Sequence, residues 1–500
     1  MRNLPITLAD YANASSANQP FAGGGSMEDL NQLQKALEAG DVTGRDTTNS
    51  TTDSGAPLKV ESLDKTLKHL TFERKDIVFW TNIPKKAAYN TVEEYNQLSS
   101  YGADRGGFNN EGELPQEEDS TYVRRAQLVK FLGVTKSVTH PMQLVNTMVG
   151  NIVQREVENG TLWILRKLNK ALFFGDETLI PQEFNGFLAQ QMRSDAWTSL
   201  DDYFNSSNVV DCRGSVLKET HIESSANSII ENFGLGDQLY APPAVLSNFV
   251  KNFYGNKFIQ PNTSALSAGV MGQKVNAFDS QFGTIGLNWD LFFQKLPAKT
   301  MSSAATSSNA PATPTIGGGT PIAAVASDSS SKWAAGDAGN YFYAVTALNR
   351  FGESAPLSLG NSATAIVSGG AVDIQFTGTA GPNAATAFRV YRSTKGASAY
   401  NGATQYYPVF DISLAELTAG YDGAAAGYVR DRDRIMPNTD QALLIQQNNE
   451  VVEFAQLAPL MKMDLAVLSP AYRFMCLLYG TPFLYAPKKI VRIINIGTTM

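Results

Sequence analysis

The chain has 500 residues, 43% of them hydrophobic and 17% charged, with a formal net charge of −7 at pH 7. That balance fits a folded protein with room for two or three domains, and it argues against a disordered chain or a general nucleic-acid binder, whose phosphate contacts need an excess of Lys and Arg. No stretch approaches the ~18 apolar residues of a membrane helix, and the opening MRNLPITLADYANASS lacks an apolar signal core, so a soluble, unsecreted protein is expected.

In the first seventy residues, Gly23-Gly24-Gly25 leads to Ser26 as a helix N-cap. Leu30, Leu33 and Leu37 follow on one face and Gly40 is the stop. A polar tract, Gly44–Ala56, follows. Two readings stay open: a loosely ordered terminus with one marginal helix, or an arm stabilised by docking on a neighbouring subunit or assembly factor. Asp76–Asn82 reads as a strand and Ser120–Val138 as a second β-rich stretch. Between them lies a long polar excursion through Tyr101-Gly102, Arg105-Gly106-Gly107, Asn109–Glu113 and Glu117-Glu118-Asp119. It has too little apolar surface to fold back on its own domain, so it would be ordered by lying across something else. Its carboxylates read as a solvated face.

The longest helical signal runs from Pro141 to about Phe174. Leu144, Val145, Met148, Val149, Ile152 and Val153 form an apolar stripe that Ile164, Leu165, Leu168 and Leu172 continue. Gly150 and Gly160 mark a bend or a close approach inside it. Thr220-His221-Ile222-Glu223 matches a capping box, with Ile222, Ala226, Ile229, Ile230 and Phe233 behind it; His221 is expected beside the cap. Pro242-Pro243 opens another helix, with Val245, Leu246, Phe249, Val250 and Phe253 inward. Val275–Leu296 looks β-rich, with Trp289 and Phe292-Phe293 as packing residues.

From residue 301 the sequence becomes Ser-, Thr-, Ala- and Gly-rich and reads as a flexible linker. Beyond it, Tyr341–Leu348, Ala371–Phe376 and Phe388–Arg392 are strands of a separate β module that exits through Gly427 and Asp431-Arg432-Asp433-Arg434. The stretch YFYAVTALNRFGESAP resembles an immunoglobulin or fibronectin type III sandwich. As an insertion at an exposed loop it is tolerated; as an outward display domain it would contact neighbours, cell surfaces or glycans. The closing segment gives strands at Asp464–Leu468, Arg473–Tyr479 and Lys489–Ile496, with a break at Gly480-Thr481-Pro482. These apolar runs cannot bury themselves, so they return to a core begun far upstream.

The chemistry of catalysis is thinly represented. Three histidines and the lone Cys212 and Cys476 make no HExxH or paired CxxC site, and the two thiols are expected reduced and buried. There is no GxxxxGK[ST] or GxSxG. Asp201-Asp202 has no specific partner and is placed at the surface.

The ordered set VNTMVGNIVQREVENGTLWILRKLNKALFFGDE, EFNGF, DCRGSVLKETHIESSANSII, LYAPPAVLSNF, FGTIGLNWDLFF and LMKMDLAVLSPAYRFMCLLYGTPFLYAPKKIVRIINI resembles the major capsid proteins of tailed bacteriophages with the Hong Kong 97-type fold. The resemblance covers most of residues 70–300 and 435–497 and rests on order, not on one diagnostic signature. It implies an α+β fold with an N-terminal arm (1–70), an extended loop and flanking strands (71–140), a spine helix and peripheral domain (141–200) and a mainly axial domain (201–300). An inserted all-β immunoglobulin-like sandwich (301–430) would follow, and residues 431–500 would return to the peripheral β structure. The implied function is non-enzymatic: pentamers and hexamers closing into an icosahedral head around double-stranded DNA, assembled in the host cytoplasm. A separate scaffold, a portal and decoration proteins would be partners, without cofactor, metal or membrane. Inter-subunit contacts would fall on Trp80, Lys85, Lys86, Tyr89, Tyr95, Tyr101, Arg105 and Phe108. Some relatives crosslink through a lysine in the loop; Lys85 and Lys86 are nearby, but no acceptor is identifiable and no crosslink is expected. A tail or tube protein, and a carbohydrate-active enzyme with an accessory sandwich, are the alternatives.

Overall fold

A computed structural model describes residues 72–102, 107–115, 117–145, 151–256, 275–360, 364–378, 381, 383–397, 404–466 and 469–497. The helix expected after Ser26, the polar tract behind it, Arg105, Met148, Val149 and Gly150 lie outside them. All described residues belong to one compact unit, Leu70–Met500.

Helix α1 (Val78–Asn82) follows a 3-10 turn at Arg74–Asp76, where the strand was expected. Asp76 accepts the Glu73 amide at 2.8 Å and starts the turn, and the Phe79 ring then stacks on Phe173 and meets Phe187 and Tyr240 edge-on. Burial of that ring overrides the β propensity of Val78, Phe79 and Trp80. Strands β1 (Lys85–Ala87), β2 (Val92–Ser100), β3 (Thr121–Leu128) and β4 (Lys130–Thr139) come next. Pro141 sits in a separate short helix, α2 (His140–Leu144); the long helix α3 spans Ile152–Phe174. Its start is set by Asn151, whose side chain accepts the amides of Val153 and Gln154, so the helix begins eleven residues after Pro141, where it was expected to start. Leu144 and Val145 are exposed.

Two short helices, α4 (Phe187–Met192) and α5 (Leu200–Asn205), lead to β5 (Val209–Asp211) and α6 (Glu219–Glu231). The N-cap of α6 is Lys218, not Thr220: the His221 ring accepts the Lys218 amide at 3.3 Å, and Phe233 lies beyond the helix, its ring exposed. Strand β6 (Gln238–Ala241), α7 (Pro243–Asn256), β7 (Ala277–Ser280) and β8 (Gly283–Trp289) complete this half. Phe293 is fully buried, while Trp289 is largely outside the core.

Residues 299–434 carry β9 (Ile322–Val325), β10 (Gly339–Tyr341), β11 (Tyr343–Asn349), β12 (Gly352–Glu353), β13 (Leu357–Ser358), β14 (Thr364–Ile366), β15 (Ala371–Gln375), β16 (Ala387–Ser393), β17 (Tyr406–Ser413), helix α8 (Leu414–Ala419) and β18 (Tyr428–Asp431). A sheet of order β12-β11-β16-β17, with β13 also on β11, faces a second of order β18-β15-β9. Val345, Phe388, Val390 and Ile412 from the first share one core with Val372, Ile374, Phe376 and Val429 from the second. The stretch that read as a flexible linker is built in: Thr306 N donates to Glu353 O, Thr315 bridges to Thr377, and Lys299 bridges to Tyr406. Its small side chains suit close backbone pairing as well as they suit mobility.

The chain returns with β19 (Asp440–Ile445), β20 (Val452–Asp464), β21 (Ala471–Leu484) and β22 (Ile490–Ile496). Asp464 ends a strand where one was expected to begin. Gly480-Thr481-Pro482 runs inside β21 without a break, because β4 pairs no further than Gly480 and leaves Pro482 on a free edge, where its missing N–H costs no ladder bond. A Cβ on Gly480 would lie 2.4 Å from the Phe454 ring, so the glycine also makes room for that side chain.

Two sheets build the body. The first, of order β1-β20-β21-β4, packs on α3: Ile164, Leu168 and Leu172 meet Phe454, Phe474 and Leu478. Gly160 marks the close approach; a Cβ there would come within 3.1 Å of Cys476 Sγ. The second has the order β5-β22-β19-β6-β8-β7, so strands from either side of residues 299–434 interleave in it. The closing segment therefore feeds both sheets, not only the one beneath the long helix. Ile490 joins the same core as Ile164 and Leu168. At its centre Asn169 donates to both oxygens of the buried Asp290 and accepts the Trp80 amide at 2.9 Å, which ties α1, α3 and the end of β8 together.

Candidate functional site

Two features stand out against this body, a hairpin that leaves it and a charge cluster at the foot of the sandwich. The hairpin is β2 paired with β3, from Val92↔Leu128 to Leu98↔Tyr122, and it joins no larger sheet. Alternation along both strands splits it into two faces. Glu93, Tyr95, Gln97, Val123, Arg125 and Gln127 form the half-buried one. The other is exposed, with apolar pairs Val92–Leu128 and Leu98–Tyr122 flanking Glu94, Asn96 and Arg124.

The root is held by specific contacts. Tyr95 meets the Phe483 and Tyr485 rings edge-on, Gln97 donates to Tyr485 O at 2.8 Å, and Arg125 pairs with Asp195 at 2.6 Å. Lys86 donates to the Tyr485 hydroxyl at 2.9 Å and lies 3.8 Å from Glu453 and over the Phe483 ring. Lys85 donates to the carbonyls of Trp80 and Ile83, and burial lowers its pKa. Trp80 itself packs edge-on against Phe454. Trp80, Lys85, Lys86 and Tyr95 are thus engaged within the chain. Tyr89, Tyr101 at 85% and Phe108 at 101% exposure point away from it, as does Leu114 at 93%, which the sequence reading did not single out. More than half of the large exposed apolar side chains among the described residues lie between Tyr89 and Val145.

The charge cluster gathers around the Asp431–Arg434 run, whose side chains part in alternation. Asp431 and Asp433 take the two ends of the Arg392 guanidinium at 2.6 and 2.5 Å, and all three are essentially buried. Trp333 and Tyr341 lie against the Arg392 guanidinium. Arg432 and Arg434 both reach Asp422 and Asp201, and Arg432 also pairs with Asp328. Asp201 belongs to α5 of the body. From the body too, Arg213 donates to Asp433, Asp337 and the Lys332 carbonyl, Asn205 accepts from Lys332 at 2.6 Å, and Arg193 bridges Asp176 and Glu416. Asp201, expected at the open surface, is a joint between two parts of the molecule. Asp202 instead accepts the Thr198 amide before α5. The alternation of Asp and Arg over 431–434 was the available signal.

Burial drives the electrostatics. It pushes Asp433 up to about 6 against the pull of Arg392 and Arg213. Burial also opposes ionisation of Asp201 and Asp328, yet arginine hydrogen bonds and charges hold both below the usual carboxylate value. Cys212 lies 3.3 Å from His221 Nδ1, but burial pushes its thiol up to about 12, which disfavours the thiolate. Cys212 and Cys476 are both free and buried. Among the described residues, no group of three or more His, Cys, Asp or Glu is placed to hold a metal, and no helix is long and apolar enough to cross a membrane. Arginines fixed by carboxylates can orient and join; they offer no acid or base near neutrality.

Known proteins resemble the chain over nearly its full length. It is 24% identical over 492 residues to the major capsid protein of Staphylococcus phage K, covering 97% of this chain and 98% of that one. It is 23% identical over 470 residues to a putative major capsid protein of Enterococcus phage phiEF24C, covering 93% and 96%. Among solved structures, a chain from the capsid of a native GTA particle aligns over 89% of this chain and 99% of its own at 8% identity, with a TM-score of 0.42, too loose to bear on the fold. The profile of the SU10 major capsid protein family matches residues 42–308, more than half of the sequence. The chain belongs to the SU10 major capsid protein family.

Proposed function

We propose that this major capsid protein builds a closed icosahedral head of pentamers and hexamers around double-stranded DNA, on a Hong Kong 97-type body carrying an inserted immunoglobulin-like domain. The observation that supports it most is the hairpin β2–β3, which exposes apolar side chains along one face and at its tip, where a lone subunit gains nothing from them. A second copy of the chain would cover that face. Tyr89, Tyr101 and Phe108 would make such contacts directly, and Arg105, outside the described residues, would join them, while Trp80, Lys85, Lys86 and Tyr95 would set the angle at which the hairpin leaves the body. Each contact is weak, and ring closure makes the later ones effectively intramolecular. Residues 1–70 would serve as an arm. Scaffold, portal and decoration proteins would be separate partners, and assembly would take place in the host cytoplasm. The role is geometric, without catalysis or cofactor, and the net charge of −7 limits tight sticking to packaged DNA. Electron microscopy of the purified full-length chain, with a scaffold supplied where needed, tests this reading. Closed polyhedral particles are expected; tubes would favour a tail-type protein, and monomers with glycan-cleaving activity an enzyme.

A further inference from the structure

We infer that the charge cluster is an ionic latch that locks residues 299–434 onto the body, so that the sandwich moves as a rigid extension of the subunit. This rests on reading those residues as a domain inserted into a shell subunit. The apolar cores on the two sides do not merge. The main cluster of the sandwich contains only residues between Ile322 and Val429, and the main cluster of the body contains none of them. Just past the exit, Ile435 packs with Tyr203, Val209 and Ile494 of the body. A polar seam between two separately cored parts ordinarily leaves them free to move relative to each other.

Here the seam is crossed by a connected set of charges. Asp201 takes Arg432, Arg434 and the Ser330 hydroxyl; Arg213 takes Asp433, Asp337 and the Lys332 carbonyl; Lys332 reaches Asn205; and Arg193 reaches Glu416. On the sandwich side Asp433 is itself fixed by Arg392, and Arg432 and Arg434 by Asp422, with Asp328 also on Arg432, so these three charges are held in place. Where the chain leaves and rejoins the body, Lys295 clips the two passages together through the Asn438 carbonyl and side chain and through Asp440. Opening the seam would strip several of these charges of a partner at once, which makes partial opening unfavourable and favours one orientation.

Asp201 is the body's only carboxylate on Arg432 and Arg434 among the contacts described, so it is the place to cut. In assembled particles, Asp201→Ala is expected to leave the shell well resolved by cryo-electron microscopy while the sandwich density blurs. Proteolysis within residues 295–300 and 434–440 should accelerate at least about tenfold, since cleavage follows the population of the open form. The double variant Asp201→Arg with Arg434→Asp should recover part of the order. Unchanged sandwich density together with unchanged cleavage would overturn the latch. Should Asp201→Ala form no particles, the same proteolysis on the unassembled subunit decides the matter: faster cleavage supports the latch and equal cleavage overturns it. Absence of particles from the unaltered chain, by contrast, would count against the shell reading alone.

Discussion

The hairpin β2–β3 and the sandwich of residues 299–434 are both excursions from the body, yet they dispose of their chemistry in opposite ways. The sandwich has a core of its own and turns charged groups toward the body, where each meets a counter-charge. The hairpin has no core, anchors its root through Tyr95, Gln97 and Arg125, and leaves Tyr101, Phe108 and Leu114 facing outward. An excursion whose groups are satisfied inside one chain contributes to that chain's stability. One whose groups are left open contributes only when another molecule arrives.

The sharpest way to break this contrast is Asp431→Ala. It leaves the buried Arg392 without one of its two carboxylates and Tyr343 without its 2.9 Å acceptor, so a loss of about 3–5 kcal/mol is expected in denaturant unfolding. A loss under about 1 kcal/mol would mean that the cluster is far wetter than its geometry indicates.

Acid probes the same cluster by another route. Asp201 and Asp328 are held low, so their contribution is complete above the ordinary value of 3.8 and is lost as the pH falls through their depressed folded values. Asp433, held near 6, works the other way: folded protein takes up its proton between about pH 6 and the ordinary value, which favours the fold as the pH falls. His221, lowered by burial, gives an opposite drift below its ordinary 6.5, but it lies on α6, outside the charge cluster. Hydrogen-exchange protection over residues 328–337 and 430–434 should therefore rise modestly from pH 7 to 5, as Asp433 takes up its proton, and fall below the ordinary aspartate range, as Asp201 and Asp328 are neutralised. Steady loosening between pH 7 and 5 would contradict the assignment.

Smaller effects belong to the hairpin. Lys86→Ala removes the contacts to Tyr485 and Glu453 at the root and should cost about 1 kcal/mol in thermal melting, with a drop in particle yield because the hairpin's angle loosens. Phe108→Ser with Leu114→Ser should shift subunit stability by no more than about 0.5 kcal/mol, because both side chains are fully exposed. Particle yield measured by sedimentation should nevertheless collapse. Normal yield would remove the tip from the assembly contacts.

Periodicity made much of the body legible. The stripe through Ile164, Leu165, Leu168 and Leu172 identified the buried face of α3, and the strand at Phe388–Arg392 was found nearly to the residue, whereas Tyr341–Leu348 splits at Phe342 into β10 and β11, which join different sheets. Where local pattern and distant partner disagreed, the partner decided. Phe79 turned an apparent strand into a helix by entering an aromatic cluster drawn from α3, α4 and β6. The proline in β21 was tolerated because its neighbour strand stops short. Asn151 outranked Pro141 as the start of α3 because a side-chain cap fixes a helix end more firmly than a favourable first residue. For the site, the extended loop was visible as a long polar stretch of low apolar content, but which of its aromatics face outward depends on strand register, and the sequence does not carry that. The joint between Asp201 and Arg434 spans 233 positions and left only the alternation of Asp and Arg as a trace.

The position of β22 has a consequence in time. Ile490–Ile496 lies between β5 and β19 and holds the six-stranded sheet together from the inside, while residues 299–434 close their core without it. As the chain leaves the ribosome, the sandwich can mature early, whereas the body must wait with unpaired strands until residues 490–496 emerge. A polypeptide cut short between residues 434 and 490 would carry a finished appendage on an unfinished tile, and such a molecule is barred from the lattice by its own incompleteness.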